Sequence, residues 1–412
     1  MLNHKKTVLC IPYSHTISHI SRPLQIAKEL RSRGHHLIFA GESDKTIFIE
    51  REGFKVHPLY EPAPDLLYGN IRKGKLRFME QDEIERMIVA DLELYRQIRP
   101  DLVLTDGRFT ASISTHIARL RHAAIVNVSS TEYRAMPYIP IFEWLSGFGI
   151  SQDSGIKRYA DRLNLKIEMF IFDHAMNVFH KLSKKHGLEK RVTATNCLAG
   201  KDITLLSDIP EYFPVRHLPG NYHFIGPITL KTALPPPNWW PPEKDGHPLI
   251  YITMGSTGIS SFFMKVYEYF KQTEMKAVIT TGGQVKSFAG LSGKIYIEQF
   301  IDGDLVLEKS DLVVCHGGNG TIYQALLHGK PIIGIPTIPD QKFNMRRVES
   351  LGMGISIPYK NFYNNQEILI NAIEKILRDP SYSNNAVRFQ KKLEKYHGYF
   401  TGANLIESCF AS

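Results

Sequence analysis

The most informative stretch of the chain is an apolar run that leads directly into a glycine-rich turn. Val313-Val314-Cys315 is followed by His316-Gly317-Gly318-Asn319-Gly320-Thr321, and a helix is predicted to begin at once. Glycine lets backbone N–H groups approach phosphate oxygens without a Cβ atom in the way. A helix N-terminus adds unpaired N–H donors and a partial positive charge. These residues favour binding of a diphosphate, although a tight strand-to-helix connection would also explain the glycines.

The first half of the chain has the pattern of a parallel α/β sheet. An apolar strand at residues 8–12 precedes a polar loop, a predicted helix from Pro23 to Arg33 and a second strand at 36–40. A further buried strand ends in Asp106. Strands that alternate with helices in this way predict β-α-β units.

The second half repeats this alternation after a proline-rich segment. Prolines are so dense between Pro235 and Pro242 that neither a helix nor a central strand is expected there. We therefore predict two Rossmann-like domains, at residues 1–230 and 247–395, joined by a linker at 231–246. Each domain is expected to be a doubly wound parallel sheet, with the two facing a cleft.

Composition narrows the classes of function. The chain has 412 residues and a formal net charge of +9. That charge is spread thinly, which argues against a nucleic-acid partner and leaves a weak association with a membrane surface open. The 4 cysteines have no metal-ligand spacing and are typical of a reducing cytoplasm. The His316 turn is neither a P-loop nor a Gly-x-Gly-x-x-Gly motif. No residue pattern indicates an oligomeric state.

The motifs that follow the glycine-rich turn resemble the donor-binding region of a known enzyme group. After His316-Gly317-Gly318 come Gly334-Ile335-Pro336, then Asp340-Gln341 and Asn344, in order and at the spacing of that group. The chain resembles the nucleoside-diphosphate-sugar glycosyltransferases with the GT-B fold. That group includes plant natural-product, bacterial macrolide and animal glucuronosyl enzymes. The resemblance covers most of the chain but not residues 133–190.

The resemblance implies how a UDP- or TDP-linked sugar would be bound. It assigns the diphosphate to Ser256, His316, Gly317, Gly318, Asn319, Gly320 and Thr321. It places Phe300 against the base and Gln324 near the ribose. Many relatives have Glu at the position of Gln324, so the choice between ribose and deoxyribose stays open. Asp340 and Gln341 would bind hydroxyls of the transferred sugar.

The resemblance also implies a catalytic pair in the first half. His19, just before the predicted helix, matches the catalytic histidine, and Asp106 matches its acidic partner. A neutral imidazole can take a proton from an acceptor hydroxyl while the carboxylate orients the ring. His15 lies in the same loop and stays a rival base.

The expected activity is metal-independent, inverting transfer of a hexose to a hydroxyl of an apolar small-molecule or lipid acceptor, with no cofactor beyond the donor. Aromatic residues are dense at 133–190, which fits either core packing or an apolar acceptor cleft with helical walls. As in relatives, residues 396–412 are expected to pack back on the first domain. The alternatives are a nucleotide-sugar epimerase of the same fold and a catalytically silent nucleotide-sugar binder.

Overall fold

The computed structural model describes residues 5–141, 155–231, 234–243, 245–255, 260–285 and 293–411. The chain divides into two compact units. The first comprises Met1–Ile228 together with His397–Ser412, and the second comprises Thr229–Tyr396. The division after Ile228 falls close to the predicted end of the first domain at residue 230.

The first unit is built on a 7-stranded sheet in the order β3-β2-β1-β4-β5-β6-β7. Its strands are β1 Thr7–Pro12, β2 His36–Ala40, β3 Val56–His57, β4 Leu102–Asp106, β5 Arg121–Val126, β6 Ile203–Leu206 and β7 Tyr222–Phe224. All pairings between them are parallel. The central strand β4 is buried along its whole length, and its neighbours β1 and β5 are buried except at their first residues, as expected for a sheet with helices on both faces.

Helices cover both faces of this sheet. They are α1 Ile17–Ser32, α2 Ile47–Glu50, α3 Pro64–Arg72, α4 Gln81–Ile98, α5 Ala111–Ile117, α6 Gly155–Ala175 and α7 Val178–Lys185. Met176 and Asn177 separate α6 from α7, and Met176 is buried in the core at this break.

Helix α1 begins at Ile17, so the prediction of a start at Pro23 is wrong. Ile20 and Leu24 follow one another by one turn, and both are buried in the core. Their burial favours a helix that extends backward past Pro23. It offsets the cost of an interior proline, which loses one backbone hydrogen bond and whose ring crowds the carbonyl of the residue four positions earlier. His19 consequently lies in the first turn of a helix and not in the loop before it.

The second unit is a 6-stranded parallel sheet in the order β10-β9-β8-β11-β12-β13. Its strands are β8 Leu249–Thr253, β9 Lys276–Thr280, β10 Ile295–Glu298, β11 Leu312–Cys315, β12 Ile332–Gly334 and β13 Gly354–Ser356. Its helices are α8 Ser260–Phe270, α9 Gly303–Lys309, α10 Asn319–Leu327, α11 Pro339–Ser350, α12 Tyr359–Asn364, α13 Glu367–Arg378 and α14 Pro380–Leu393. The proline-rich segment is fixed to this unit, because Trp239 stacks on Tyr296 and donates to Glu298 at 2.7 Å.

The last helix, α15 Gly398–Ala411, belongs to the first unit. Ala403 and Ile406 are fully buried in the same apolar cluster as Ile20 and Ile225. Glu407 accepts a hydrogen bond from Arg33 at 2.7 Å, which fixes the helix to the end of α1.

Candidate functional site

The first group of candidate residues lies where β1 and β4 end side by side. These strands are neighbours in the sheet, with Pro12 beside Asp106, and the chain leaves them in different directions. Ligands of open α/β sheets bind at such a point, outside the carboxyl ends of the strands. The loop after β1 leads into α1, whose first turn carries His19.

His19 and Asp106 are in direct contact. Nδ1 of His19 lies 2.5 Å from Oδ1 of Asp106. A carboxylate only accepts, so we assign the ring hydrogen to Nδ1, which leaves the lone pair of the neutral ring on Nε2. Nη2 of Arg22 lies 3.1 Å from the same Nδ1, but its shorter bond, at 2.6 Å, is to Asp106. The Asp106 side chain is fully buried, whereas that of His19 is 27% exposed. The ring is therefore oriented by a buried carboxylate and is partly exposed to solvent.

Arg22 completes this group, although it was not among the residues predicted from the sequence. Its Nε donates to Oδ2 of Asp106 at 2.7 Å and its Nη2 donates to Oδ1 at 2.6 Å. A third nitrogen donates to the side-chain oxygen of Asn127. Arg22 stands one helical turn after His19, a spacing that would have revealed it had α1 been predicted to start before Pro23.

The residue after Asp106 has to be a glycine. Gly107 has a φ of +88°, and a Cβ there would lie 2.9 Å from the Cβ of Tyr13 and 3.3 Å from Nδ1 of His19. A side chain would strain the backbone and push the imidazole away from Asp106.

His15 is placed differently. Its backbone oxygen accepts a hydrogen bond from Lys45 at 2.8 Å, and its ring lies 5.3 Å from that of Tyr13. Burial and the nearby Lys45 lower the pKa of His15 below its usual value. The Asp106 contact described above belongs to His19.

The second group lies at the equivalent point of the other sheet, where β8 and β11 end side by side. His316 follows β11, and its ring is packed between two glycines. A Cβ on Gly255 would lie 2.7 Å from Cε1 of His316, and one on Gly318 would lie 2.5 Å from its Nε2. Burial lowers the pKa of His316 to about 4, so the ring is neutral at pH 7.

The glycine-rich turn ends at the start of α10. Gly318 is the N-cap residue and makes no side-chain cap, and Ile322 is the first residue whose N–H bonds to it. Gly320 and Thr321 precede Ile322 in the first turn, where a helix supplies no acceptor for N–H groups. His316 Nδ1 is buried and has no hydrogen-bond partner within the described part of the chain. The backbone N–H groups of Gly320 and Thr321 and the unpaired Nδ1 of His316 thus lie in the turn that starts α10.

The motif around Asp340 braces this turn. Asn344 donates to the backbone oxygen of Gly317 at 3.0 Å. Oε1 of Gln341 accepts from the backbone N–H of Thr337 at 2.8 Å and so closes the start of α11. Asp340, in the first turn of α11, is half-buried beside Asn344.

The residues predicted for the nucleoside lie near the start of α9. Phe300 is 40% exposed. Gln324 on α10 donates to Oδ1 of Asp304 at 3.0 Å, and His328 lies 3.1 Å from the same oxygen. Burial acts to raise the pKa of Asp304, but hydrogen bonds from His328 and Gln324 bring it below its usual value. Asp304 was not among the residues predicted from the sequence. Ser256, which was predicted to contact the diphosphate, lies outside the described residues.

Two further findings concern metals and membranes. Within the described ranges, no cluster of His, Cys, Asp and Glu side chains is placed to hold a metal ion. None of the helices described is long and apolar enough to cross a membrane.

Known proteins with similar sequences are glycosyltransferases. Residues 249–397 match the glycosyltransferase family 28 C-terminal domain. A PGL/p-HBAD biosynthesis glycosyltransferase of Mycobacterium tuberculosis is 26% identical over 387 residues, which cover 93% of this chain and 88% of the relative. A PGL/p-HBAD biosynthesis rhamnosyltransferase of Mycobacterium bovis is 25% identical over 387 residues, covering 93% and 83%.

A solved structure shares the fold. The spinosyn rhamnosyltransferase SpnG complexed with thymidine diphosphate has a TM-score of 0.70 and 16% identity, covering 98% of this chain and 99% of that one. The expected GT-B fold, with a parallel-sheet unit in each half, is confirmed. The chain is a glycosyltransferase of the GT-B type, and its residues 249–397 are similar to the family 28 C-terminal domain.

Proposed function

We propose that this enzyme transfers a hexose from a UDP- or TDP-sugar to a hydroxyl of an apolar small-molecule or lipid acceptor, inverting the anomeric carbon without a metal ion. The contact between His19 and Asp106 carries this proposal. The imidazole of His19 is partly exposed and its Nδ1 is held by a buried carboxylate, which is the arrangement of a general base.

The proposed reaction is a single displacement. The acceptor oxygen attacks the anomeric carbon on the face opposite the diphosphate, and Nε2 of His19 takes the hydroxyl proton. The bond from the anomeric carbon to the diphosphate oxygen breaks, and its electron pair leaves with the diphosphate. Asp106 stabilises the imidazolium that forms, because its carboxylate already accepts from Nδ1.

Donor binding is assigned to the turn after β11. The leaving diphosphate gains negative charge as the bond breaks, and N–H groups at the start of α10 would stabilise that charge. The buried, unpaired Nδ1 of His316 supports this assignment, because a buried polar atom normally has a partner. These donors would take the part that a metal ion has in other transferases.

The relatives guide the choice of substrates to test. SpnG is complexed with thymidine diphosphate, and both SpnG and one of the mycobacterial relatives are named rhamnosyltransferases. Rhamnose is a 6-deoxyhexose, so TDP-rhamnose belongs in the donor panel beside UDP-hexoses. We extend the hexose proposal to 6-deoxyhexoses on this basis.

The proposal is tested with His19→Ala and a matched control, His15→Ala. Product formation from the donor panel and a panel of apolar alcohols and phenols is followed by mass spectrometry. We expect His19→Ala to lower the rate by about 100- to 10,000-fold and His15→Ala to change it little. Calorimetry should show that both variants bind UDP or TDP as the unchanged enzyme does. A chelator should not alter the rate, and NMR of the product should show an inverted anomeric centre.

Other outcomes would point elsewhere. Conversion of the donor to another sugar nucleotide without any acceptor would support the epimerase alternative. Nucleotide binding without turnover of any donor would support the silent binder. Full activity of His19→Ala would remove His19 as the base.

A further inference from the structure

Helix α6 exposes apolar side chains along one side. Its solvent-exposed apolar residues are Ile156 at 65%, Tyr159 at 71%, Leu163 at 42%, Ile167 at 39%, Phe170 at 71% and Ile171 at 42%. They recur at the spacing of one helical face, and we call them the α6 stripe. The stripe extends along the helix for about 22 Å. Scattered exposed apolar residues are ordinary, but a contiguous row marks a contact surface.

The opposite side of α6 is buried and partly polar. Asn164 is fully buried and donates to the backbone oxygen of Ile139 at 2.7 Å. Glu168 accepts from Arg134 at 2.6 Å and from the backbone N–H of Ile139 at 2.8 Å. These bonds fix the rotation of the helix, so the stripe cannot turn inward without breaking a buried ion pair.

A basic row borders the stripe. Arg158, Arg162 and Lys166 are exposed and follow one another at intervals of one turn. Of the acidic residues of α6, Asp161 and Glu168 point to the buried side, by the 100° rotation per residue of an α-helix. Asp173 lies two turns beyond Lys166 on the side of the basic row, but it is half-buried and accepts hydrogen bonds from Thr195 at 3.1 Å. The exposed part of α6 therefore combines an apolar face with a flank of positive charge.

We propose that the α6 stripe and its basic row form a docking surface for an anionic lipid membrane. The apolar side chains would enter the boundary between headgroups and acyl chains, with the helix lying in the plane of the surface. The basic row would contact the negative headgroups. A neutral protein surface would cover the apolar side chains but would offer no partner for these positive charges. Charge complementarity is thus what selects an anionic lipid surface as the occupant.

The proposal concerns binding to a surface and does not depend on the transfer reaction proposed above. A membrane-bound enzyme would meet apolar acceptors where they concentrate. If the chain did not bind vesicles, transfer to a water-soluble acceptor would be unaffected. If His19→Ala abolished transfer, vesicle binding would be unaffected.

The test is co-sedimentation of the full chain with vesicles. Phosphatidylcholine vesicles are compared with vesicles that also contain phosphatidylglycerol, at low and high salt. We expect binding to the anionic vesicles that weakens as salt is added. The double variant Leu163→Gln/Phe170→Gln should lower the vesicle affinity by at least about tenfold, because two apolar side chains no longer leave water. The variant Arg158→Gln/Arg162→Gln should lower affinity for anionic vesicles only.

Matched controls separate this surface from general stickiness. Val89→Gln on α4 removes another apolar side chain, which is 54% exposed, and should leave vesicle binding unchanged. Arg388→Gln/Lys391→Gln on α14 removes the same charge from another exposed helix and should also have no effect. Because all these positions are exposed, we expect the melting temperatures to stay close to that of the unchanged chain.

Three results would overturn the proposal. One is that the unchanged chain ignores anionic vesicles. Another is self-association that Leu163→Gln/Phe170→Gln abolishes, which would make a second copy the occupant. The third is that Leu163→Gln/Phe170→Gln raises KM for a water-soluble acceptor and leaves vesicle binding unaltered. The α6 stripe would then be a wall of the acceptor-binding site.

Discussion

At the scale of single residues, the candidate base depends on a carboxylate with two partners. Asp106 is fully buried and contacts both His19 and Arg22. The guanidinium brings an opposite charge and two hydrogen bonds to a group that water does not reach, and its planar shape fits both carboxylate oxygens. We infer that Arg22 is a positioning residue, which acts by holding Asp106 where His19 needs it.

This role predicts a specific kinetic change in Arg22→Lys. Lysine keeps the charge but cannot form both bonds, so Asp106 and the imidazole should lose their fixed orientation. We expect kcat to fall by about tenfold or more with little change in KM for the donor. Steady-state kinetics on folded protein measures both constants.

Arg108→Lys is the matched control. Arg108 forms the same kind of buried pair with Asp91, at 2.8 Å, and its side chain is only 2% exposed. Both variants should lower the melting temperature, but only Arg22→Lys should lower kcat. Equal losses of kcat in the two variants would mean that Arg22 matters for stability alone.

At the scale of elements, both candidate groups depend on where strands end. Strands that are buried on both faces are mostly apolar along their length, so β4 and β11 could be predicted from the sequence. Asp106 and His316 were therefore placed correctly at the ends of strands. The start of α1 was predicted too late in the chain, because proline is typical of the first turn of a helix and Pro23 lies inside α1. That single error concealed the relation between His19 and Arg22.

Side-chain partners are the part that the sequence could not predict. Gln341 and Gln324 were expected to bind the donor. Yet Oε1 of Gln341 closes the start of α11, and Nε2 of Gln324 donates to Asp304. Such contacts depend on rotamers and on residues from other elements, which motif spacing does not contain. Both roles in donor binding stay predictions.

The packing of His316 predicts a large effect of Gly318→Ala. Gly318 has a φ of −70°, which alanine adopts without strain, so any effect must come from the new methyl group. That methyl would lie 2.5 Å from Nε2 of His316 and would displace the ring. We expect affinity for UDP or TDP, measured by calorimetry, to fall by about tenfold or more.

Gly293→Ala is the control for this substitution. A Cβ at Gly293 meets nothing within 4 Å, so nucleotide affinity should stay unchanged. If Gly318→Ala bound nucleotide as tightly as Gly293→Ala, the turn after β11 would not be the diphosphate site.

At the scale of the whole molecule, the chain enters the second unit after Ile228 and returns to the first at His397. The last helix contributes buried side chains to the core of the first unit. Gly402 faces Ile26 so closely that a Cβ there would lie 2.7 Å from the isoleucine Cδ1. The helix that contains His19 therefore packs on residues from the opposite end of the sequence.

This arrangement predicts that Ile406→Ala loosens the first unit, although residue 406 follows the second unit in sequence. Ile406 is fully buried against the cluster that contains Ile20, and its truncation should cost about 2–5 kcal/mol. Hydrogen exchange followed by mass spectrometry should show faster exchange in α1 and β6, with β8 to β13 unchanged. Ile376→Ala on α13, which is 1% exposed in the core of the second unit, should give the reverse pattern. Faster exchange in the second sheet upon Ile406→Ala would show that α15 stabilises that unit instead, and the assignment of the last helix to the first unit would be wrong.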